Sequence, residues 1–296
     1  MTDGQTVAQS GQPPPPPAPS LQGWYPDPFG RFRTRWWDGL RWTEYAGDAE
    51  VRWDPVPLEQ DEPRRPTPAG IVPAIVGFVS GVALSVAAQV VLSMAGEPGG
   101  RAAELLVGSL ALWTGLVTAC IYVSRRRGTS SLVQDYGLRF RWRDVGFGVA
   151  GSLVARATAI SAVAPIPLPL PTRRIGEPER VVFEDALGTG LELAVLALVT
   201  CVGAPLIEEV FFRGLLQGRL EARLGVAPGI VVASLLFGAA HLIAWEGPWT
   251  FAFAWAVAAG GVVLGIMRHV SGRLGPPIAA HAFFNAQALV AVALVT

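Results

Sequence analysis

From Ile71 onward the chain runs in long apolar stretches broken by short polar interruptions, whereas residues 1–70 contain no apolar stretch of comparable length. The stretches lie at 71–95, 103–124, 145–164, 187–207, 229–245, 249–268 and 276–295. Each approaches the roughly 20 residues an α-helix needs to cross the hydrocarbon layer. The pattern therefore predicts an all-α polytopic membrane protein of about seven transmembrane helices over residues 71–296, with the fourth helix continuing through Arg213 toward Arg223. The N-terminal part reads differently. Residues 1–20 are polar and Pro-rich, a composition expected to stay disordered as an extended tether. Residues 21–46 form a small Trp-rich module in which Trp24, Tyr25, Trp36, Trp37 and Trp42 are separated by turn signals, predicting a β-type meander of two or three strands. Residues 47–70 read as a linker. No signal-peptide core precedes Ile71, so the first apolar helix is expected to serve as the insertion signal.

Composition agrees with this pattern, with 51% hydrophobic and 16% charged residues. All 23 basic residues are arginine and the net charge is zero, so no overall basic field would recruit nucleic acid. Cys120 and Cys201 are the only cysteines, each inside an apolar run. They are expected to be core packing and exclude a disulfide framework or CxxC metal site. Arginine placement predicts orientation. Arg64 and Arg65 precede the first span, Arg125, Arg126 and Arg127 follow the second, and Arg139, Arg141 and Arg143 precede the third. By the positive-inside rule these face the cytoplasm, together with Arg219, Arg223, Arg268 and Arg273. Arg173, Arg174 and Arg180 would lie outside, accompanied by Glu177, Glu179, Glu184 and Asp185. A multi-pass plasma-membrane protein with a cytoplasmic N-terminus is expected.

Against this apolar background Glu208 and Glu209 stand out, with Arg213 one helical turn later. Ionisable side chains at membrane depth are costly and mark functional sites by default. Residues four apart share a helix face, so Glu209 and Arg213 can pair, while Glu208 points about 100° away and keeps a free carboxylate suited to general-base work. A charge cluster closing a helix end accounts for the pair equally well. His241 falls near the end of the fifth run, where Trp245, Glu246 and Gly247 follow. His281 and Asn285 share a face of the last run, as a catalytic pair or as polar glue between helices. His269, beside Arg268, reads as a solvated flank residue.

Taken together, Glu208-Glu209-Val-Phe-Phe-Arg213, Phe237-Gly-Ala-Ala-His241 and His281-Ala-Phe-Phe-Asn285 resemble the three motifs of the CPBP family, the CAAX protease and bacteriocin-processing intramembrane peptidases. The resemblance covers about residues 185–292, including Pro205 and Gly214 on either side of the first motif. It implies an intramembrane endopeptidase acting on membrane-associated protein or peptide substrates. Glu208 would activate water, with Glu209 and Arg213 in support. His241 would position the water, and His281 with Asn285 would stabilise the oxyanion. The resemblance leaves the cofactor open: either none, or a zinc ion held by Glu208, His241 and His281.

Arg156 lies mid-span and is expected to form a structural ion pair with Glu192 or Glu184. The string GWYPDPFGRFRTRWWDGLRWTEY resembles an N-terminal module of unknown function found in many bacterial membrane proteins. Its aromatic residues with Arg31, Arg33, Arg35 and Arg41 suit a protein or lipid partner, or a folded spacer. Two other classes fit parts of the pattern: a non-catalytic membrane scaffold or bacteriocin self-immunity protein, and an ion transporter, for which no inverted repeat is visible.

Overall fold

The computed structural model describes residues 22–27, 32–38, 42–47, 50–53, 71–96, 100–165, 190–242 and 250–293. The Pro-rich tail, the loop carrying Arg173, Arg174, Arg180, Glu177, Glu179, Glu184 and Asp185, the segment with Trp245, Glu246 and Gly247, and Arg31, Arg41, Arg64 and Arg65 lie outside them. The chain divides into two units, Met1–Arg65 and Pro66–Thr296.

The first unit is an antiparallel sheet in the order β1 (Gly23–Pro26), β2 (Thr34–Trp37), β3 (Trp42–Gly47) and β4 (Val51–Trp53). The expected meander gains a fourth strand, drawn from the segment assigned to the linker. Val51-Arg52-Trp53 is β-branched, long and aromatic in turn, and it pairs with Gly47, Ala46 and Tyr45. Aromatic packing supplies part of the module's order, through the edge-to-face pairs Trp24–Trp36 and Trp37–Trp42. The other part is ionic. Arg35, expected on the surface for ligands, is fully buried; its Nε donates to Asp27 Oδ1 at 2.8 Å and its Nη1 to the Thr43 carbonyl. A sheet this small has too little apolar volume to fill its centre, and the buried guanidinium ties β2 to β3 and to the turn after β1.

The second unit is helical: α1 (Ile71–Met94), α2 (Gly100–Arg127), the short α3 (Leu132–Tyr136), α4 (Asp144–Val163), α5 (Gly190–Leu224), α6 (Val226–Ala240), α7 (Thr250–Ser271) and α8 (Gly275–Ala293). Each of the seven predicted spans coincides, over its described residues, with a helix, and the fourth does continue to Leu224. Five of them, α1, α2, α4, α5 and α7, are long and apolar enough to cross a membrane; α6, with 15 residues, is a shorter apolar helix. The protein is a multi-pass integral membrane protein. Its lipid-facing surface is apolar, with Val72, Val76, Val79 and Val91 exposed along α1.

Helix α5 is the hub, packing against α1, α2, α3, α6, α7 and α8, while α4 packs on α7 and α8 from outside. Phe211, Phe212, Leu215, Leu216 and Leu220 of α5 form the core with Leu116, Ala119, Cys120 and Val123 of α2 and Phe237 of α6. Tyr136 of α3 packs against Gly214, where a Cβ would come within 2.9 Å of it, and donates its hydroxyl to the Cys120 carbonyl at 2.7 Å. Burial, with a smaller effect from Cys120, pushes this phenol above its ordinary range, so the hydroxyl stays a donor. Arg156 meets the middle of α8: its Nη2 donates to the Phe284 carbonyl at 2.6 Å, and its guanidinium lies 3.8 Å from the centre of the Phe284 ring. The contacts seen are a backbone carbonyl and an aromatic face, whereas a carboxylate was expected; of the two candidates, Glu184 lies outside the described residues.

Helices α1 and α2 meet backbone to backbone. A Cβ on Gly115 would run into the Gly77 carbonyl and the backbone of Gly81. Close approach through small residues replaces the hydrophobic drive that is missing between helices in lipid. Gly115→Ala is expected to destabilise the bundle by about 1–3 kcal/mol. Gly146→Ala on α4, where a Cβ would meet nothing within 4 Å, is expected to be neutral or stabilising by up to about 1 kcal/mol. Thermal unfolding of the two variants in one detergent checks this.

Candidate functional site

The site is built on an irregular α5. The helix widens into π-turns at Val199–Gly203 and again at Val210–Gln217, leaving the α-helical turn Ala204–Glu209 between them. π-turns are uncommon and cluster at functional sites. Here they bracket the two glutamates.

Glu209 is completely buried. Its Oε1 accepts from Arg213 Nη1 at 2.9 Å, as the four-residue spacing predicts, and lies 3.0 Å from His281 Nδ1. An ionised carboxylate only accepts, so His281 donates through Nδ1–H and has Nε2 left to offer. Glu209 Oε2 is buried without a hydrogen-bond partner among the described residues. Arg213, also buried, sends its Nη2 to the Gly261 carbonyl of α7 at 3.2 Å, and its guanidinium lies 4.2 Å from the centre of the Phe237 ring. Desolvated cation–π contacts of this kind contribute about 2 kcal/mol.

Glu208 points elsewhere, as the helical geometry requires. It is half-buried and makes no hydrogen bond among the described residues, but its charge acts on both His241 and Arg213. His241 closes α6, its Nδ1 2.8 Å from the Phe237 carbonyl. A carbonyl demands a donor, so the proton sits on Nδ1 and the Nε2 lone pair is left for a water or substrate proton. Phe237 touches both imidazoles edge to face, at 4.9 Å from His241 and 5.6 Å from His281. Asn285 does not turn all of its amide toward the carboxylates: its Nδ2 donates to the Thr200 carbonyl at 2.7 Å.

The structure thus brings Glu208, Glu209, Arg213, His241 and His281 into one cluster, with Asn285 attached through α5. Among the described residues, no group of three or more His, Cys, Asp or Glu side chains is arranged to hold a metal ion. Glu208, His241 and His281 do not form a ready zinc set. His269 pairs with Glu221 at 3.2 Å while staying 41% exposed.

Sequence reasoning missed three residues. Phe237, noted only as a motif letter, is the aromatic wall shared by Arg213 and both histidines. Gly261 gives Arg213 a backbone acceptor, and a Cβ there would come within 3.0 Å of Nη2. Gln217 repeats the arrangement one turn on, with Nε2 donating to the Gly265 carbonyl at 2.9 Å. The signal was a constant offset: 213 with 261, 217 with 265 and 221 with 269 differ by 48 residues each, the register of two helices running side by side.

The protein is thus a multi-pass helical membrane protein with carboxylates, a guanidinium and two imidazoles clustered inside its bundle. Residues 190–287, about a third of the chain, match the family described as type II CAAX prenyl endopeptidase Rce1-like, a family of proteases, in agreement with the CPBP motifs. Residues 23–53, the whole of the sheet, match a family of proteins of unknown function, DUF2510. No curated protein and no solved structure matches the chain.

The two glutamates are expected to separate in a stability assay. Arg213→Leu leaves Glu209 buried with half its partners and should cost about 3–5 kcal/mol. Glu208→Gln, at a half-buried residue without a hydrogen bond among the described residues, should change stability by less than about 0.5 kcal/mol. Thermal unfolding of both proteins in the same lipid or detergent decides it.

Proposed function

We propose that the protein is an intramembrane endopeptidase that hydrolyses peptide bonds of membrane-associated proteins or peptides by metal-free, glutamate-assisted attack of water. The observation that carries this reading is the asymmetry of the glutamates: one buried and ion-paired through Oε1, the other half-buried, without a hydrogen bond among the described residues and electrostatically linked to an imidazole held through Nδ1. The protease match over the same residues supports it.

In this mechanism a water lies between Glu208 and His241 Nε2. Glu208 takes its proton as the oxygen attacks the scissile carbonyl, and His241 orients it through the lone pair that the Phe237 carbonyl leaves exposed. The carbonyl oxygen becomes an oxyanion. His281, held by Glu209 through Nδ1 and carrying its second proton, donates to it from Nε2. One oxyanion donor is worth about 2.7–4 kcal/mol in a site of low dielectric constant. Collapse of the tetrahedral intermediate returns the proton from Glu208 to the leaving amine. Glu209 and Arg213 touch no substrate; they fix His281 and the helix that carries Glu208. The positive-inside pattern favours cleavage near the cytoplasmic face of the plasma membrane, and the Trp-rich module favours a bacterial host, where prenylated CAAX substrates would be scarce. The module itself is proposed to contact a protein or lipid partner through its exposed residues Trp24 and Tyr45.

The test uses full-length protein in lipid vesicles with a library of acyl-anchored fluorogenic peptides. Wild type is expected to cleave a subset, Glu208→Gln to lose at least about 100-fold in kcat, and chelators to leave the rate unchanged. Equal cleavage by wild type and Glu208→Gln would contradict the proposal, and loss of activity on chelation with recovery on adding zinc would contradict its metal-free form.

A further inference from the structure

The first π-turn of α5 has an unfilled rung. The Ala204 N–H bonds to the Val199 carbonyl, five residues back, as a π-turn requires. The next rung would join residue 205 to the Thr200 carbonyl, but residue 205 is proline and has no N–H. The usual α-helical donor to Thr200, the N–H of Ala204, is already bonded to Val199. The Thr200 carbonyl therefore has no donor from its own helix, in a part of the bundle where an unmet backbone acceptor is expensive. The side chain that reaches it is Asn285 Nδ2, at 2.7 Å from α8.

We propose that Asn285 is a positioning residue which takes the place of the N–H missing at Pro205, and so holds α5 at the wide pitch that aims Glu208 and Glu209 three and four residues later. This rests on the protease reading for its kinetic consequence, and on the helix geometry alone for its structural one. The two bonds that α8 makes to α5 define the alignment. His281 grips Glu209, and one turn later Asn285 grips Thr200, below the proline. With one amide N–H committed to Thr200, Asn285 acts on the reaction through the backbone that carries the glutamates. The Pro205 that sequence comparison alone would read as a helix punctuation is then half of a pair, and Asn285 is the other half.

Such a pair can be tested by restoring the missing donor. Four full-length proteins are compared in the same vesicles: wild type, Asn285→Ala, Pro205→Ala and the double variant. Each is assayed for cleavage of the acyl-anchored peptide cleaved best by wild type and for thermal unfolding. In the Pro205 background, Asn285→Ala should lower kcat on the order of 10- to 100-fold with KM nearly unchanged, because the scissile bond still binds but the base is misplaced. It should also lower the unfolding temperature. In the Pro205→Ala background the new N–H supplies Thr200, and the same Asn285→Ala change should lower kcat by less than about threefold and leave the unfolding temperature nearly constant. Equal losses of kcat in both backgrounds, with unfolding temperature unaffected by Asn285→Ala in either, would overturn the proposal and return Asn285 to the oxyanion. If wild type cleaves no peptide while the unfolding temperatures still show the coupling, the Asn285–Pro205 linkage stands and the protease reading falls.

Discussion

A carboxylate removed from water is tolerated only when other groups replace its solvation, and the arrangement of this bundle follows from meeting that demand at Glu209. Arg213 supplies a charge and a hydrogen bond from the same helix, and His281 supplies another from α8. Arg213 must in turn be satisfied, which brings the Gly261 carbonyl of α7 and the face of Phe237 from α6 to the same point. One buried oxygen thus gathers four helices. The packing that results is specific because each polar group has few alternative partners in an apolar interior.

The same demand separates structure from chemistry within a pair of adjacent, identical side chains. The helical turn that points Glu209 inward leaves Glu208 half-buried on another face, where its charge acts on His241, a ring held through Nδ1 with Nε2 left over. A reactive group needs freedom that a structural ion pair lacks, and in the proposed mechanism the half-buried position gives Glu208 that freedom without full hydration. The irregular pitch of α5 tunes this placement. A regular α-helix would carry all its own hydrogen bonds and need nothing from α8; the π-turn and Pro205 together create an acceptor that only a side chain from outside can meet.

Much of this was legible in the sequence. The apolar stretches located five helices long and apolar enough to cross a membrane and two shorter ones, and the run through Arg213 to Leu224 was visible because its polar residues recur every four positions. The Glu209–Arg213 pair followed from spacing alone. What could not be read was tertiary. That His281 binds Glu209 rather than open space, and that Asn285 binds Thr200, depends on the relative height of α5 and α8, which no local pattern encodes. The π-turns were invisible because an apolar run such as Val-Thr-Cys-Val-Gly carries no polar period that would separate a π-turn from an α-turn, with only Pro205 as a trace. In the N-terminal module, Arg35 was misplaced because arginine is rarely buried without a carboxylate, and its partner Asp27 sits in what reads as a turn. The fourth strand was missed because three residues, Val51–Trp53, are too few to show alternation.

A buried, ion-paired Glu209 meets His281 at Nδ1, and His241 is held through Nδ1 to the Phe237 carbonyl, which in the proposed mechanism leaves Nε2 to share a water with Glu208. The chain contains only 3 histidines, so their ring nitrogens can be resolved by 15N NMR of histidine-labelled protein in lipid. His241 should carry its proton on Nδ1 with an unprotonated Nε2. His281 should be protonated at Nδ1 with a strong hydrogen bond that Glu209→Gln weakens while leaving His241 unaltered. A neutral His241 protonated at Nε2, or a His281 whose Nδ1 is unprotonated and insensitive to Glu209→Gln, would contradict the account.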